Sequence, residues 1–282
     1  MITRRTFIRR GLRIGGTLLG LTTATAAYGI WEASHIRIAR QTIPIPNLPE
    51  TFVGKKVAVL ADLHHGPLVG LDFIREAVRL TNSLQPDLIA LVGDYAHWGQ
   101  HTQVDLPPCL EVLSDLRASL GVFAVPGNHD MQNRGRVYHE VISSTPIIDL
   151  TNRAHCVTQD QQHLWMAGVD DLWWGQPDLP AALKEVPLQS AVLLLCHNPD
   201  FAEECPSPRV SLVLSGHTHG GQVDLPLAGS LWIPSRYGAK YCQGLVQGPA
   251  SQVFVSRGLG VAGVPVRINA PPEINWITLA AG

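Results

Sequence analysis

The most constraining feature of this chain is a repeated event. Short runs of aliphatic residues stop, one after another, on side chains able to hold a metal ion. Val57–Ala61 runs into Asp62-Leu63-His64, and Leu88–Val92 into Gly93-Asp94. Val122–Val125 passes through Pro126 into Gly127-Asn128-His129-Asp130. Ala191–Leu195 passes through Cys196 into His197, and Val210–Leu214 through Ser215 into Gly216-His217-Thr218-His219. A further run, Leu164–Val169, ends at Asp170-Asp171. The runs are too short for helices and mostly continuous in hydrophobicity, as expected of strands covered on both faces. Helical spacing lies between the first of them: Leu71, Ile74, Val78 and Leu84, then Leu110, Leu113 and Leu116 after Pro107-Pro108. Parallel strands in that setting carry their ligand sites beyond the carboxyl ends. Two carboxylates, four imidazoles and one carboxamide would gather there, a set suited to Mn, Fe or Zn and free of thiolate.

After residue 205 the texture changes to short strands with Gly and Pro turns, expected at Leu231–Ile233, Tyr241–Val246, Gln252–Ser256 and Asn275–Leu279. No internal repeat or long linker divides the body. The expectation is one α/β domain over 50–282, poor in helix towards its end. The five cysteines are scattered, so no disulfide framework is expected and Cys196 reads as a buried thiol.

The first 31 residues read as an address. Thr3-Arg4-Arg5-Thr6-Phe7-Ile8-Arg9 is similar to a twin-arginine export signal, and an uncharged stretch from Ile14 to Trp31 follows with small residues at 24–27. It serves as a signal peptide or a membrane anchor, with the body exported and extracytoplasmic, periplasmic or membrane-associated. Setting aside the five arginines ahead of Glu32 leaves 16 basic against 23 acidic residues, a balance of −7. A body so acidic is a poor binder of a nucleic-acid duplex, and any anionic substrate needs a local positive centre.

The ordered set Asp-x-His, Gly-Asp, Gly-Asn-His-Asp, His and Gly-His-x-His resembles the calcineurin-like metallophosphoesterases from about residue 55 to 221. The resemblance implies a sandwich of two β-sheets flanked by helices, with a dinuclear site at the C-terminal strand ends. It implies that Asp62, His64 and His219 hold one divalent ion, that Asn128, His197 and His217 hold the second, and that Asp94 bridges both. His129 would face the substrate as the catalytic histidine, and Asp130 either orients it or caps the turn. Two ions stabilise the attacking and leaving oxygens of an in-line displacement. With Asp62, Asp94 and a hydroxide set against four positive charges, about one positive charge remains to trap a phosphate oxygen. Arg257 and Arg267 are candidates for reinforcing that trap, with structural roles as the plainer reading. His65, His97 and His101 read as loop histidines beside the motifs, and Trp173-Trp174 as locally packed aromatics.

Ser256-Arg257-Gly258-Leu259-Gly260, Pro265-Val266-Arg267 and the signal together resemble the bacterial exported or membrane-associated branch of the family. That branch implies metal-dependent hydrolysis of an envelope or lipid-linked phosphodiester or pyrophosphate, with twin-arginine export machinery as a partner. It is similar also to hydrolases of UDP-2,3-diacylglucosamine, but this chain has no long helical insertion to act as a lid. The alternatives are a nucleotide or phosphomonoester phosphatase and a non-catalytic metal-binding scaffold.

Overall fold

The computed structural model describes residues 17, 20, 22–99, 102–103, 105–132 and 134–282. The Arg4-Arg5 pair and much of the 14–31 stretch lie outside these residues. Among the described residues no helix is long and apolar enough to cross a membrane. Helix α1 covers 22–33, and its last turns are fastened to the body: Arg267 N–H donates to the Gly29 carbonyl at 3.0 Å.

Two six-stranded sheets face each other. The first contains β1 (Arg37–Ile45), β2 (Lys56–Leu60), β3 (Leu88–Val92), β4 (Val122–Val125), β5 (Ile148–Asp149) and β12 (Glu273–Ala281), in the order β1-β12-β2-β3-β4-β5. The second contains β6 (Arg153–Gln159), β7 (Gln162–Gly168), β8 (Val192–Leu195), β9 (Leu212–Ser215), β10 (Gly244–Gln247) and β11 (Gln252–Val255), in the order β10-β11-β9-β8-β7-β6. Strands β2, β3 and β4 are parallel neighbours, as are β7, β8, β9 and β11. Their carboxyl ends therefore face the same edge of each sheet.

Continuous apolar runs make sense in this sandwich because alternate residues enter different cores. Val57, Val59, Ala90, Val92, Phe123 and Val125 meet Met166, Leu193, Leu195, Leu212 and Leu214 between the sheets. The intervening residues Ala58, Leu60, Ile89, Leu91 and Ala124 pack outward against helices. There α2 (Leu71–Ser83) buries Ile74, Ala77, Val78 and Thr81, while its Arg75–Asp72 and Arg79–Glu76 pairs stay in solvent. Helix α3 (Pro107–Leu113) starts on the two prolines expected to open it. The outer face of the second sheet is covered by short helices carrying Leu179 and Phe201, with Tyr241 beside them.

Three elements depart from the sequence reading. The first sheet begins well before residue 50, at β1, whose polar and apolar residues alternate because it is an edge strand. The polar strand β6 is likewise an edge. Leu231–Ile233 forms no strand; Leu231 and Trp232 are exposed beyond a two-residue-by-two-residue ladder of Asp224–Leu225 with Gly229–Ser230. All five cysteines are unpaired, with Cys196 buried.

Candidate metal centre

The motif residues lie on turns that extend the sheets past their strand ends. Asp62 N–H donates to Gly93 O and His64 N–H to Asp94 O, so the turns after β2 and β3 continue each other's ladder. Gly216 N–H donates to His197 O, joining the turns after β8 and β9 in the same way. The two sheets thus deliver one set each to a common cleft edge. Five of the seven expected ligands hold left-handed backbone: Asp62 (φ 53°), His64 (49°), Asp94 (56°), His217 (72°) and His219 (54°). That conformation is costly for a residue with a Cβ, and its concentration here marks a site that the surrounding fold holds in place.

All seven side chains come together, and none is more than 7% exposed. Asp62, His64 and His219 form one buried group, and Asp94, His197 and His217 another. In the first, His64 Nε2 lies 3.0 Å from His219 Nε2, and His219 Nε2 lies 3.6 Å from Asp62 Oδ1. In the second, His197 Nε2 lies 3.2 Å from Asn128 Oδ1 and 3.3 Å from His217 Nδ1. One oxygen serves both: Asp94 Oδ2 is 3.4 Å from His64 Nε2 and 3.2 Å from His197 Nε2. Ligands about 2.1 Å from a common ion at tetrahedral to octahedral angles sit about 3.0–3.4 Å apart. The contacts match the edges of two such polyhedra sharing Asp94, so the residues fit a pair of divalent ions.

The neighbours set the ligands' orientation. His197 Nδ1 is 2.7 Å from the Val92 carbonyl oxygen, which only accepts, so Nδ1 carries the hydrogen and Nε2 presents its lone pair inward. Asp62 accepts the His217 backbone N–H on both oxygens, at 2.9 and 3.1 Å. Asp94 Oδ1 accepts the His129 N–H at 2.8 Å, leaving Oδ2 for the shared position. Glycines admit these carboxylates: a Cβ on Gly216 would meet Asp62, and one on Gly127 would meet Asp94.

Without ions the cluster's charges lean on each other. Burial pushes the Asp62 carboxyl up to about 7. Burial acts the same way on Asp94, but the charges of His197 and His129 outweigh it and hold Asp94 well below the usual carboxylate range. Burial opposes a charge on His197, yet Asp94 and Asp62 raise it to about 10. Burial, with His197's charge, pushes His217 down to about 3, and burial drives His64 and His219 well below the ordinary imidazole range. Burial thus favours the neutral, metal-binding form of His64, His217 and His219, while the carboxylates favour a charged His197 until an ion takes the place of its Nε2 proton.

His129 stands at the mouth, its ring 4.8 Å from that of His64. Asp130 is aimed at backbone amides. Its Oδ2 accepts from the backbone N–H of Asp94 at 2.7 Å and of Gly127 at 2.9 Å, and its Oδ1 from Tyr95 N–H at 3.0 Å. Fully buried, it ties the Gly127 turn to the Gly93 turn, the arrangement that the turn-capping alternative expects. Arg267 is also structural: buried, it donates to the carbonyls of Gly260, Ala270 and Arg257. Arg257 pairs with Glu273 at 3.3 Å.

Two aromatic neighbours that the sequence reading set aside belong to the site's surroundings. The half-buried His97 ring stacks on His129 with centroids 5.2 Å apart. Trp173 stands edge-on to His217 at 4.4 Å, placed by Asp171, whose Oδ2 accepts the N–H groups of Trp173 and Trp174. Neither has a motif spacing of its own; the doublet Asp170-Asp171 was the available signal. His65 Nδ1 contacts its own loop at the Val69 carbonyl, and His101 lies outside the described residues.

The sequence profile described as calcineurin-like phosphoesterase matches residues 55–221, the span holding all seven ligands. The chain belongs to the calcineurin-like phosphoesterases. Its relatives within the family match over most of its length. This phosphoesterase is 32% identical over 286 residues, 99% of its chain and 98% of the other, to the uncharacterized metallophosphoesterase YkuE of Bacillus subtilis. It is 34% identical to phosphodiesterase YaeI of Escherichia coli over 79% of its own chain and 82% of the other. It is also 31% identical to a zebrafish transmembrane protein with metallophosphoesterase domain, covering 92% of its own chain and 61% of that one. The phosphoesterase is a metal-dependent phosphoester hydrolase.

Proposed function

We propose that this phosphoesterase is a phosphodiesterase acting outside the cytoplasm on an envelope or lipid-linked phosphodiester. One observation carries the choice of diester over monoester: the arginines at the site's edge are engaged by the protein itself, Arg134 by the His129 and Ala96 carbonyls. Arg267 donates to backbone carbonyls and lies 3.3 Å from the His219 Nδ1, and Arg257 pairs with Glu273. The cavity beside His64 is lined, among the described residues, by His64, Pro67, Leu68, His97, Val261 and Gly263, with no lysine or arginine. A diester carries one negative charge and a monoester close to two near neutral pH. A centre with little cationic support beyond its ions suits the diester. The printed name of the E. coli relative, phosphodiesterase YaeI, supports the same choice.

When bound, two divalent ions polarise the phosphoryl oxygens and supply a nucleophile at neutral pH. Asp62, His64 and His219 would hold one, Asn128, His197 and His217 the other, with Asp94 shared; Mn, Zn and Fe all suit such a set. The protein's own groups do the rest. His129, part-exposed at the mouth, donates a proton to the departing alkoxide oxygen. Its backbone N–H fixes Asp94, so the acid and the shared ligand move as one unit. His97 backs the His129 ring and limits where it can turn. Export through twin-arginine machinery follows from the Arg4-Arg5 motif and the uncharged stretch behind it, and delivers an already folded, metal-loaded body to the envelope side of the membrane.

The deciding experiment compares bis-p-nitrophenyl phosphate with p-nitrophenyl phosphate on manganese- or zinc-reconstituted protein. The proposal expects kcat/KM at least about tenfold higher for the diester, a difference of about 1.4 kcal/mol in transition-state binding. A preference for the monoester would establish the phosphatase alternative instead. No turnover of either by fully metal-loaded protein would leave a scaffold.

A further inference from the structure

We infer that an apolar groove beside the metal centre receives an alkyl chain of the substrate, and that helix α1 forms one of its walls. The inference rests on the phosphodiesterase reading above and names the part of the substrate that reading leaves open. The groove has a volume of about 280 Å³ and is lined by Ile30, Leu68, Phe73, Leu259, Val261 and Pro265, among others. No lining residue is charged, and Ser34 is the lone polar side chain among them. Such a surface cannot replace the hydration of an ionic head group, whereas it gains from covering hydrocarbon.

Continuity with the reaction site identifies the occupant. Leu68 and Val261 line this groove and also the cavity of about 250 Å³ that opens on His64 and His97. A substrate phosphoryl group at the ions can therefore send an ester chain past two aliphatic side chains into the groove. The deep wall is fixed, with Val69, Leu259 and Val261 almost fully covered, while Ile30 and Leu68 remain about half exposed at the rim. Exposed aliphatic side chains facing a shared apolar concavity are the arrangement expected of a ligand groove.

The α1 wall is a built part of this arrangement. Gly29 lets the helix approach so closely that a Cβ there would lie 3.0 Å from Val266 Cβ, and its carbonyl accepts the Arg267 N–H. Arg267 is the buried residue that also holds the loop carrying Gly260, next to Leu259 and Val261. The helix end and the loop are thus pinned by the same residue, one through its backbone N–H and the other through its side chain, and the groove between them exists before any chain enters it.

The test uses two diesters sharing a leaving group, p-nitrophenyl octyl phosphate and p-nitrophenyl methyl phosphate, with the full-length, zinc-loaded chain. Each methylene buried is worth about fourfold in binding, so a groove holding part of the octyl chain gives at least about a 50-fold preference in kcat/KM. Gly70→Leu and Ala33→Leu fill the groove; a Cβ on Gly70 meets nothing within 4 Å and its φ of −75° suits any residue. Both variants are expected to reduce the preference to below about fivefold, leaving the methyl ester rate and metal content unchanged. Calorimetric binding of octyl phosphate against methyl phosphate repeats the comparison without turnover. Equal binding and equal rates for octyl and methyl compounds, or a preference untouched by both variants, would overturn the inference and leave the groove to another occupant such as the chain's own first residues. Chain-length-dependent binding that the variants abolish, without hydrolysis of either diester, would uphold the groove and refute the phosphodiesterase reading alone.

Discussion

Asp130→Asn tests the turn-capping reading of Asp130 most sharply, because the substitution exchanges one oxygen for an amide nitrogen at nearly constant volume. The carboxylate accepts four backbone N–H groups, two on Oδ2 and two on Oδ1, the Ala96 N–H being the longest at 3.5 Å. An asparagine keeps both Oδ2 bonds if its oxygen takes that place, but its amide then points two hydrogens at the Tyr95 and Ala96 N–H groups. The Tyr95 bond is lost along with the long Ala96 one, at about 1.5–3 kcal/mol, and a buried donor is left facing another donor. The expected destabilisation is about 2–4 kcal/mol. Asp130→Ala strands all four N–H groups and costs more. Burial and the Asp94 charge push the Asp130 carboxyl up to about 7, so urea unfolding is best followed at pH 8, where it is ionised. Because the Gly127 turn carries Asn128, the second ion should bind more weakly in the variant, and activity should recover with excess metal. A stability change under about 1 kcal/mol, with turnover down a hundredfold at full metal occupancy, would refute this reasoning and return Asp130 to the His129 ring.

Three other outcomes are expected. His129→Ala should lower kcat by about 10²–10⁴-fold with metal content unchanged, the size of a general acid contribution, and loss of metal along with activity would make His129 a ligand instead. Gly127→Ala brings a Cβ onto the Asp94 carboxylate at a φ of −106°, where no backbone strain arises, so contact alone should cost about 1–3 kcal/mol and depress metal content; thermal unfolding and elemental analysis read both. Replacing Arg4 and Arg5 by lysine keeps the charge, so if the pair is read as a twin-arginine signal, active protein should accumulate in the cytoplasm on fractionation, and unchanged delivery outside the membrane would remove that reading.

The clustering of the metal-capable side chains was legible in sequence because each of them follows a strand buried on both faces. The continuous aliphatic runs announce such strands, and a polar residue directly after one has few places to go except the sheet edge. Asp130 was not legible in the same way. It stands in the same motif as Asn128 and His129, yet its partners are amides of residues 94 and 95, over thirty positions earlier, and only the fold brings the two turns together. His97 and Trp173 share that difficulty: each is placed by its loop against an imidazole contributed by a distant strand end. Strand β1 escaped notice for a different reason. RIARQTIPI lies at the sheet edge with one side open to solvent, so its hydrophobicity is diluted, and its parallel pairing with β12 joins opposite ends of the chain. Leu231–Ile233 shows the converse, an apolar triplet that finds no partner strand and stays exposed at Leu231 and Trp232.

The central claim is that two ions share Asp94, and metal content per chain tests it directly. Elemental analysis of full-length protein purified under metal-replete conditions should give two divalent ions per chain. Asp94→Asn should lose both, since its Oδ2 lies within 3.4 Å of a histidine from each cluster, whereas Asn128→Ala should lose chiefly one. A wild-type content clearly below two, or an Asp94→Asn variant that retains two, would contradict the account.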